Sequence, residues 1–219
     1  MTRATSNFFY MLTALLVFLV VLPIADDLEL LSQQATRTIG YTCLFVVGVW
    51  SLQGSGKWFR VGLSLVGAGM LLNVLAYSYN GLGYLYGSIA TLIAFLAVTI
   101  VHALKQVALG TEVSANRLVG AVCVYLLLGT LWALAYTAIE LAVPGSFKGV
   151  DVATDAHWGS NWIYFSFVTL TTLGYGDITP ITGTARVLVY TEAVFGIFYM
   201  AMLVAGLVGV YMAERQKSG

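Results

Sequence analysis

One apolar segment of this chain is too short to cross a bilayer, and it lies between two that are long enough. Ser160–Thr171 makes only about three helical turns, where a spanning helix needs about 20 residues. It is flanked by the fifth and sixth apolar stretches, Leu118–Val143 and Thr184–Met212. After it come Thr171-Thr172-Leu173-Gly174-Tyr175-Gly176-Asp177 and then Thr179-Pro180, which turns the chain outward. Short helix, extended glycine-bearing strand and exit turn together describe a re-entrant loop. Non-helical backbone at membrane depth is tolerated only where protein or a water-filled cavity satisfies its polar groups, and a pore lining provides that setting.

Composition agrees with a membrane environment. Hydrophobic residues make up 59% of the 219 and charged residues 9%, where a soluble domain carries roughly a quarter charged. Four further apolar stretches precede the pair already named: Phe8–Ile24, closed by Pro23 and Asp26-Asp27; about Thr38 to Gln53; Trp58–Tyr77; and Gly83 to about Leu104. The expected fold is an all-α membrane protein, with six transmembrane helices plus a re-entrant pore helix and filter loop. A cleaved leader is the other reading of Phe8–Ile24, since Arg3 precedes it, but no small-x-small cleavage site follows cleanly. Ten basic residues balance ten acidic ones, so nothing points to nucleic acid. Cys43 and Cys123 read as small buried hydrophobes. His102 and His157, the only histidines, form no metal-binding spacing, and no cofactor or enzymatic chemistry is expected.

Charge placement orients the chain. With a cytoplasmic N-terminus, Arg3, Lys57, Arg60, Lys105, Arg117, Arg215 and Lys217 fall inside, against Arg37, Lys148 and Arg186 outside. Seven against three follows the positive-inside rule, puts both termini in the cytoplasm and brings the re-entrant loop in from the external face. The compact chain reads as prokaryotic, hence of an inner or plasma membrane.

The glycine-bearing strand carries the chemistry. Gly174 and Gly176 can adopt backbone conformations closed to residues with a Cβ, so successive carbonyls can be turned to one side. Such a stack of oxygens can replace the hydration shell of a potassium ion. Over roughly Arg117–Met212 the chain resembles the tetrameric potassium-channel superfamily: helix, pore helix, Thr-Leu-Gly-Tyr-Gly-Asp, Pro180, then a long inner helix with Arg186 near its start. The resemblance implies ion-binding filter residues Thr172, Leu173, Gly174, Tyr175 and Gly176, with potassium held at Thr172–Tyr175. Leu173 stands where the family usually has valine. It also implies a bend of the inner helix at Gly196 and a cavity lined by Ile197, Met200 and Val204. A single filter copy per chain then requires a homotetramer. Some members pair the signature aspartate with a glutamate on the pore helix, but Val168 holds that position here. Others use a tryptophan, and Tyr164 occupies the matching place, so a Tyr164–Asp177 hydrogen bond is the expected brace.

The organisation that follows is a four-helix sensor-like module over 1–105, a cytoplasmic linker over 106–116 and a pore domain over 117–219. Within the pore domain the expected bounds are 118–143 for the outer helix, 160–171 for the pore helix, 172–177 for the filter and 184–212 for the inner helix. Voltage sensing needs several charges moved through the field. The fourth stretch, Gly83–Val101, has none, so gating by a charged helix is not expected. Ser64/Ala68 and Gly83/Gly87 have the small-xxx-small spacing of close helix approach. Seven residues follow Met212, so no attached regulatory domain is expected.

Outside the filter, Glu192 is the ionisable residue set well inside a helix, a candidate brace to hydroxyls such as Thr169 or Thr171, a proton sensor, or a contact to lipid or a neighbouring subunit. His157 reads as a solvated loop histidine, with tuning of an external pH response as the other reading. Glu140 reads as reaching the headgroups, and Trp158, Trp162, Tyr164 and Phe165 as an aromatic collar at the membrane interface. The function expected is passive potassium-selective conduction, with potassium, lipid and three further copies of the chain as partners. The alternative is a non-selective cation channel of the same architecture. A transporter would show repeated halves with broken helices, and a membrane enzyme clustered polar residues at depth. An inert subunit of a conducting relative is a third reading.

Overall fold

In a computed structural model the described residues are 8–28, 56–79, 81–108, 115–150 and 158–217, with isolated positions 39, 45, 48 and 49. They form helices and one two-stranded ladder, in two compact units, 1–105 and 106–219. Five helical spans among them are long and apolar enough to cross a membrane: 8–25, 56–76, 83–108, 116–142 and 183–206. The stretch expected over Thr38–Gln53 lies almost wholly outside the described residues, as do Arg3, Arg37 and His157.

In the first unit, α1 (Phe8–Leu16) passes through a π-helical turn at Val17–Val21 into α2 (Leu22–Asp27). Pro23 has no N–H for an i−4 carbonyl, and its ring crowds that carbonyl. The π turn before it, closed by the Leu22 N–H on the Val17 carbonyl, absorbs the mismatch. Helix formation therefore continues through Pro23, where the sequence suggested an end. α3 (Gly56–Tyr79) and α4 (Leu82–Ala108) complete the described part of this unit. Gly69 lies against Thr91, and Gly87 against Leu72. Of the expected small-residue pairs only Gly87 serves such an approach. Ser64 and Ala68 are exposed, and a Cβ on Gly83 would meet open space. The rotational phase of α3 buries Gly62, Val66 and Gly69 instead.

The second unit consists of α5 (Ala115–Ala142), β1 (Phe147–Lys148), α6 (Trp158–Leu170), β2 (Thr179–Pro180) and α7 (Gly183–Lys217). The strands pair antiparallel, Phe147 with Pro180 and Lys148 with Thr179. Its core is aromatic: the rings of Tyr136, Phe147, Trp162 and Phe165 lie 4.9–6.5 Å apart. Trp162 and Phe165 are buried there, so they do not form the interfacial collar the sequence suggested. Their partners come from α5 and β1, which lie far away along the chain. Polar tips fasten the helices to one another: Tyr199 Oη donates to the Ala121 carbonyl at 2.6 Å, Trp132 Nε1 to that of Leu188 at 3.3 Å, and Tyr125 Oη to that of Leu170 at 3.3 Å.

Candidate functional site

α6 ends where the glycine-bearing strand begins, and the strand satisfies the last carbonyls of that helix. The Thr172 N–H donates to the Thr169 carbonyl at 2.9 Å, and the N–H groups of Leu173 and Gly174 donate to that of Val168 at 2.9 and 3.3 Å. A trans peptide sets each C=O opposite the N–H of the next residue. The carbonyls of Thr171, Thr172 and Leu173 therefore point away from α6.

Backbone hand alternates along the strand. Thr172, Gly174 and Gly176 have φ of 59°, 59° and 80°, whereas Leu173 and Tyr175 do not have positive φ. Alternation of this kind turns successive carbonyls to one side. The glycines adopt it freely. Thr172 is the sole non-glycine with positive φ among the described residues, and a β-branched residue held there costs about 1–3 kcal/mol. Sequence inspection finds the glycines and misses the threonine, since nothing in its chemistry announces a left-handed backbone. All seven residues from Thr171 to Asp177 are exposed in the single chain.

The outer end of the strand is held by side chains. Tyr164 Oη donates to Asp177 Oδ2 at 2.7 Å, and the Tyr164 ring stacks on Tyr175 with centroids 6.4 Å apart. This hydrogen bond holds the Asp177 carboxyl below its usual range, and it pushes the Tyr164 hydroxyl up to about 12. Gly149, with φ +98°, lies against the Asp177 carbonyl, where a Cβ would collide. Beyond Asp177, the Ser146 carbonyl accepts from the N–H of Ile181 at 2.7 Å.

Two buried acids support this frame. Glu140, expected at the headgroups, is instead buried and caps a turn. Its Oε1 accepts from the Gly145 N–H at 2.7 Å and its Oε2 from the Phe147 N–H at 3.0 Å. Glu192 on α7 is fully buried, and its Oε2 accepts from Tyr136 Oη. Its Oε1 lies 2.5 Å from Ser166 Oγ, which also lies 2.7 Å from the Gly129 carbonyl. The partner on α6 is thus Ser166 in place of Thr169 or Thr171. Thr171 Oγ1 donates to the Phe167 carbonyl at 2.7 Å. Sequence shows that Glu192 is deep in a helix, but not which hydroxyl shares its azimuth.

Gly196 stands where α7 meets the end of α6. A Cβ there would run into the Leu170 carbonyl oxygen, so close approach alone demands glycine, and the helix continues through it. Ile197, Met200 and Val204 are exposed in the single chain.

Residues 121–213 match the ion channel family. The chain is 35% identical over 91 residues to "Two pore potassium channel c" of Oryza sativa subsp. japonica, covering 40% of this chain and 19% of the relative. It is 42% identical over 82 residues to "Inward rectifier potassium channel Kirbac3.1" of Paramagnetospirillum magnetotacticum, covering 36% and 24%. It is 34% identical over 102 residues to "Two pore potassium channel a" of the same rice, covering 46% and 26%. The chain thus spans about a quarter or less of the length of these relatives. No solved structure matches it. The matched part of the chain is thus similar to potassium channels, and the family it matches is one of channels and not of enzymes.

Proposed function

We propose that the chain is a subunit of a potassium-selective channel, and that four copies surround one conduction path. The observation that carries the reading is the strand Thr172–Gly176. Its backbone hand alternates, and the amides of Thr172, Leu173 and Gly174 are committed to the end of α6, so the carbonyls of Thr171, Thr172 and Leu173 point away from that helix. Carbonyls so placed can substitute for the water shell of a dehydrated cation. The C-terminal end of α6 adds its partial negative charge at the inner end of the strand. The names of the relatives support potassium as the ion.

One strand offers ligands from one direction, and a ring needs several. Leu173 and Tyr175 are 56% and 67% exposed in the single chain, as expected of side chains that meet neighbouring copies. In this reading Thr172, Leu173, Gly174, Tyr175 and Gly176 hold the ion. Asp177, Tyr164 and Glu192 support them, Gly196 permits a bend, and Ile197, Met200 and Val204 face the cavity. The pore domain is 117–219, preceded by the linker 106–116 and the sensor-like module 1–105. No charge occurs in Gly83–Val101, which supports gating without a charged voltage-sensing helix. The termini are cytoplasmic by the positive-inside count.

The test is flux from potassium-loaded liposomes under opposed potassium and sodium gradients at two pH values. Potassium-selective flux blocked by barium is the expected result. Flux indifferent to the ion would put the non-selective cation channel in its place. Absence of flux at both pH values, with co-assembled relatives conducting, would favour the inert subunit.

A further inference from the structure

We propose that Glu192 is a neutral carboxylic acid, the middle link of a relay of three hydrogen bonds that joins α5, α6 and α7 behind the filter strand. The argument is a count of protons. Three oxygen–oxygen contacts run in series: Tyr136 Oη to Glu192 Oε2, Glu192 Oε1 to Ser166 Oγ at 2.5 Å, and Ser166 Oγ to the Gly129 carbonyl at 2.7 Å. Each contact needs one hydrogen between its oxygens. A peptide carbonyl only accepts, and a tyrosine or serine hydroxyl brings one proton each. Ser166 must give its proton to Gly129, and Tyr136 gives its own to Oε2. The remaining contact has no hydrogen unless Glu192 Oε1 carries it and donates to Ser166. An ionised Glu192 would leave two oxygens pressed together with lone pairs facing.

The surroundings agree. Tyr136, Ser166 and Glu192 are each fully buried, and a buried carboxylate without a cation is expensive. On α5 the titratable groups facing Glu192 are Tyr136 and Tyr125. α6 carries no charged residue, and its Tyr164 is turned to Asp177. On α7 itself, Arg186 is exposed and donates to the Pro180 carbonyl at 3.4 Å. Among the described residues, none of the groups acting on Glu192 is a cation.

The direction of the relay decides what is lost on deprotonation. A Glu192 carboxylate captures the Ser166 proton, and the tie between Ser166 and Gly129 breaks. Alkaline pH therefore uncouples the short helix from α5 while Tyr136 stays bound.

The test is infrared spectroscopy of the full chain in lipid vesicles at neutral pH, comparing wild type with Glu192→Gln. Loss of a protonated-carboxyl C=O band in the variant is the expected result. Loss of carboxylate bands alone would overturn the proposal. Glutamine supplies a carbonyl and an N–H where the neutral acid supplies a carbonyl and an O–H, so it preserves all three contacts. Thermal unfolding against pH should then show an alkaline loss of stability in wild type that is absent in Glu192→Gln. The same alkaline loss in both would also overturn it. If Glu192→Gln does not assemble, Ser166→Ala decides: removing the acceptor shifts the wild-type acid band upward, whereas an ionised Glu192 has no such band to shift.

Discussion

Replacing Gly196 by alanine places a Cβ against the Leu170 carbonyl oxygen. That oxygen is backbone at the last turn of α6, so it cannot step aside as the end of a flexible side chain would. Overpacking of this kind costs about 1–3 kcal/mol, and a clash with backbone belongs at the upper end. Exchanging glycine for alanine inside a helix returns about 1 kcal/mol. The net expectation is a destabilisation of about 2 kcal/mol. Gly67→Ala is the control, since a Cβ there meets nothing within 4 Å and only the propensity gain remains. Apparent melting temperatures of the two purified variants and wild type, scanned at one rate, measure the difference. The displacement also pushes on Leu170, two residues before Thr172, so ion discrimination in the liposome assay should fall in Gly196→Ala alone. A Gly196→Ala protein as stable as Gly67→Ala, with unchanged discrimination, would refute the close-approach argument.

Tyr164→Phe removes the hydroxyl that Asp177 accepts from, and the expected outcome is a less persistent conducting state in single-channel records with folding unchanged. Because the Asp177 carboxyl is held low by that hydrogen bond, the bond's contribution is fully present above the ordinary value of about 3.9. It is lost as pH falls through the still lower folded value. External pH lowered to about 5 should therefore leave wild-type open times unchanged, and titration below about 4 should shorten them; Tyr164→Phe should show no such step. Glu140→Gln sets an amide N–H₂ against one of two backbone donors and should cost about 2 kcal/mol, read as a lower melting temperature. Gly149→Ala combines a positive φ with a collision at the Asp177 carbonyl, and should reduce assembled protein more than Gly196→Ala on a sizing column.

The short helix and the glycine strand could be found in the sequence because length and residue type reveal them. A dozen apolar residues cannot span, and glycine marks unusual backbone. Expected and observed helix bounds differ by a few residues, 118–143 against 115–142 and 160–171 against 158–170. What escaped reading is azimuth. Sequence gives the depth of Glu192 and Glu140 but not the direction each faces, so their partners Ser166, Tyr136, Gly145 and Phe147 had no signal. Pro23 misled for a related reason. A proline ends an ordinary helix, but a π turn one step earlier lets the chain continue, and no residue type in Val17–Val21 encodes it.

The filter strand is moored at both ends. Its inner amides are tied to Thr169 and Val168, and Asp177 at its outer end is held by Tyr164 while Thr179 pairs with Lys148. A segment fixed at both ends behaves like the ring of a macrocyclic chelator, whose donor spacing is set by its framework before any guest arrives. If the strand binds potassium as proposed, the fit between ligand and ion is written largely in α6, Tyr164 and the β1–β2 ladder. On the proposed reading, discrimination between cations becomes a property of struts that never touch them.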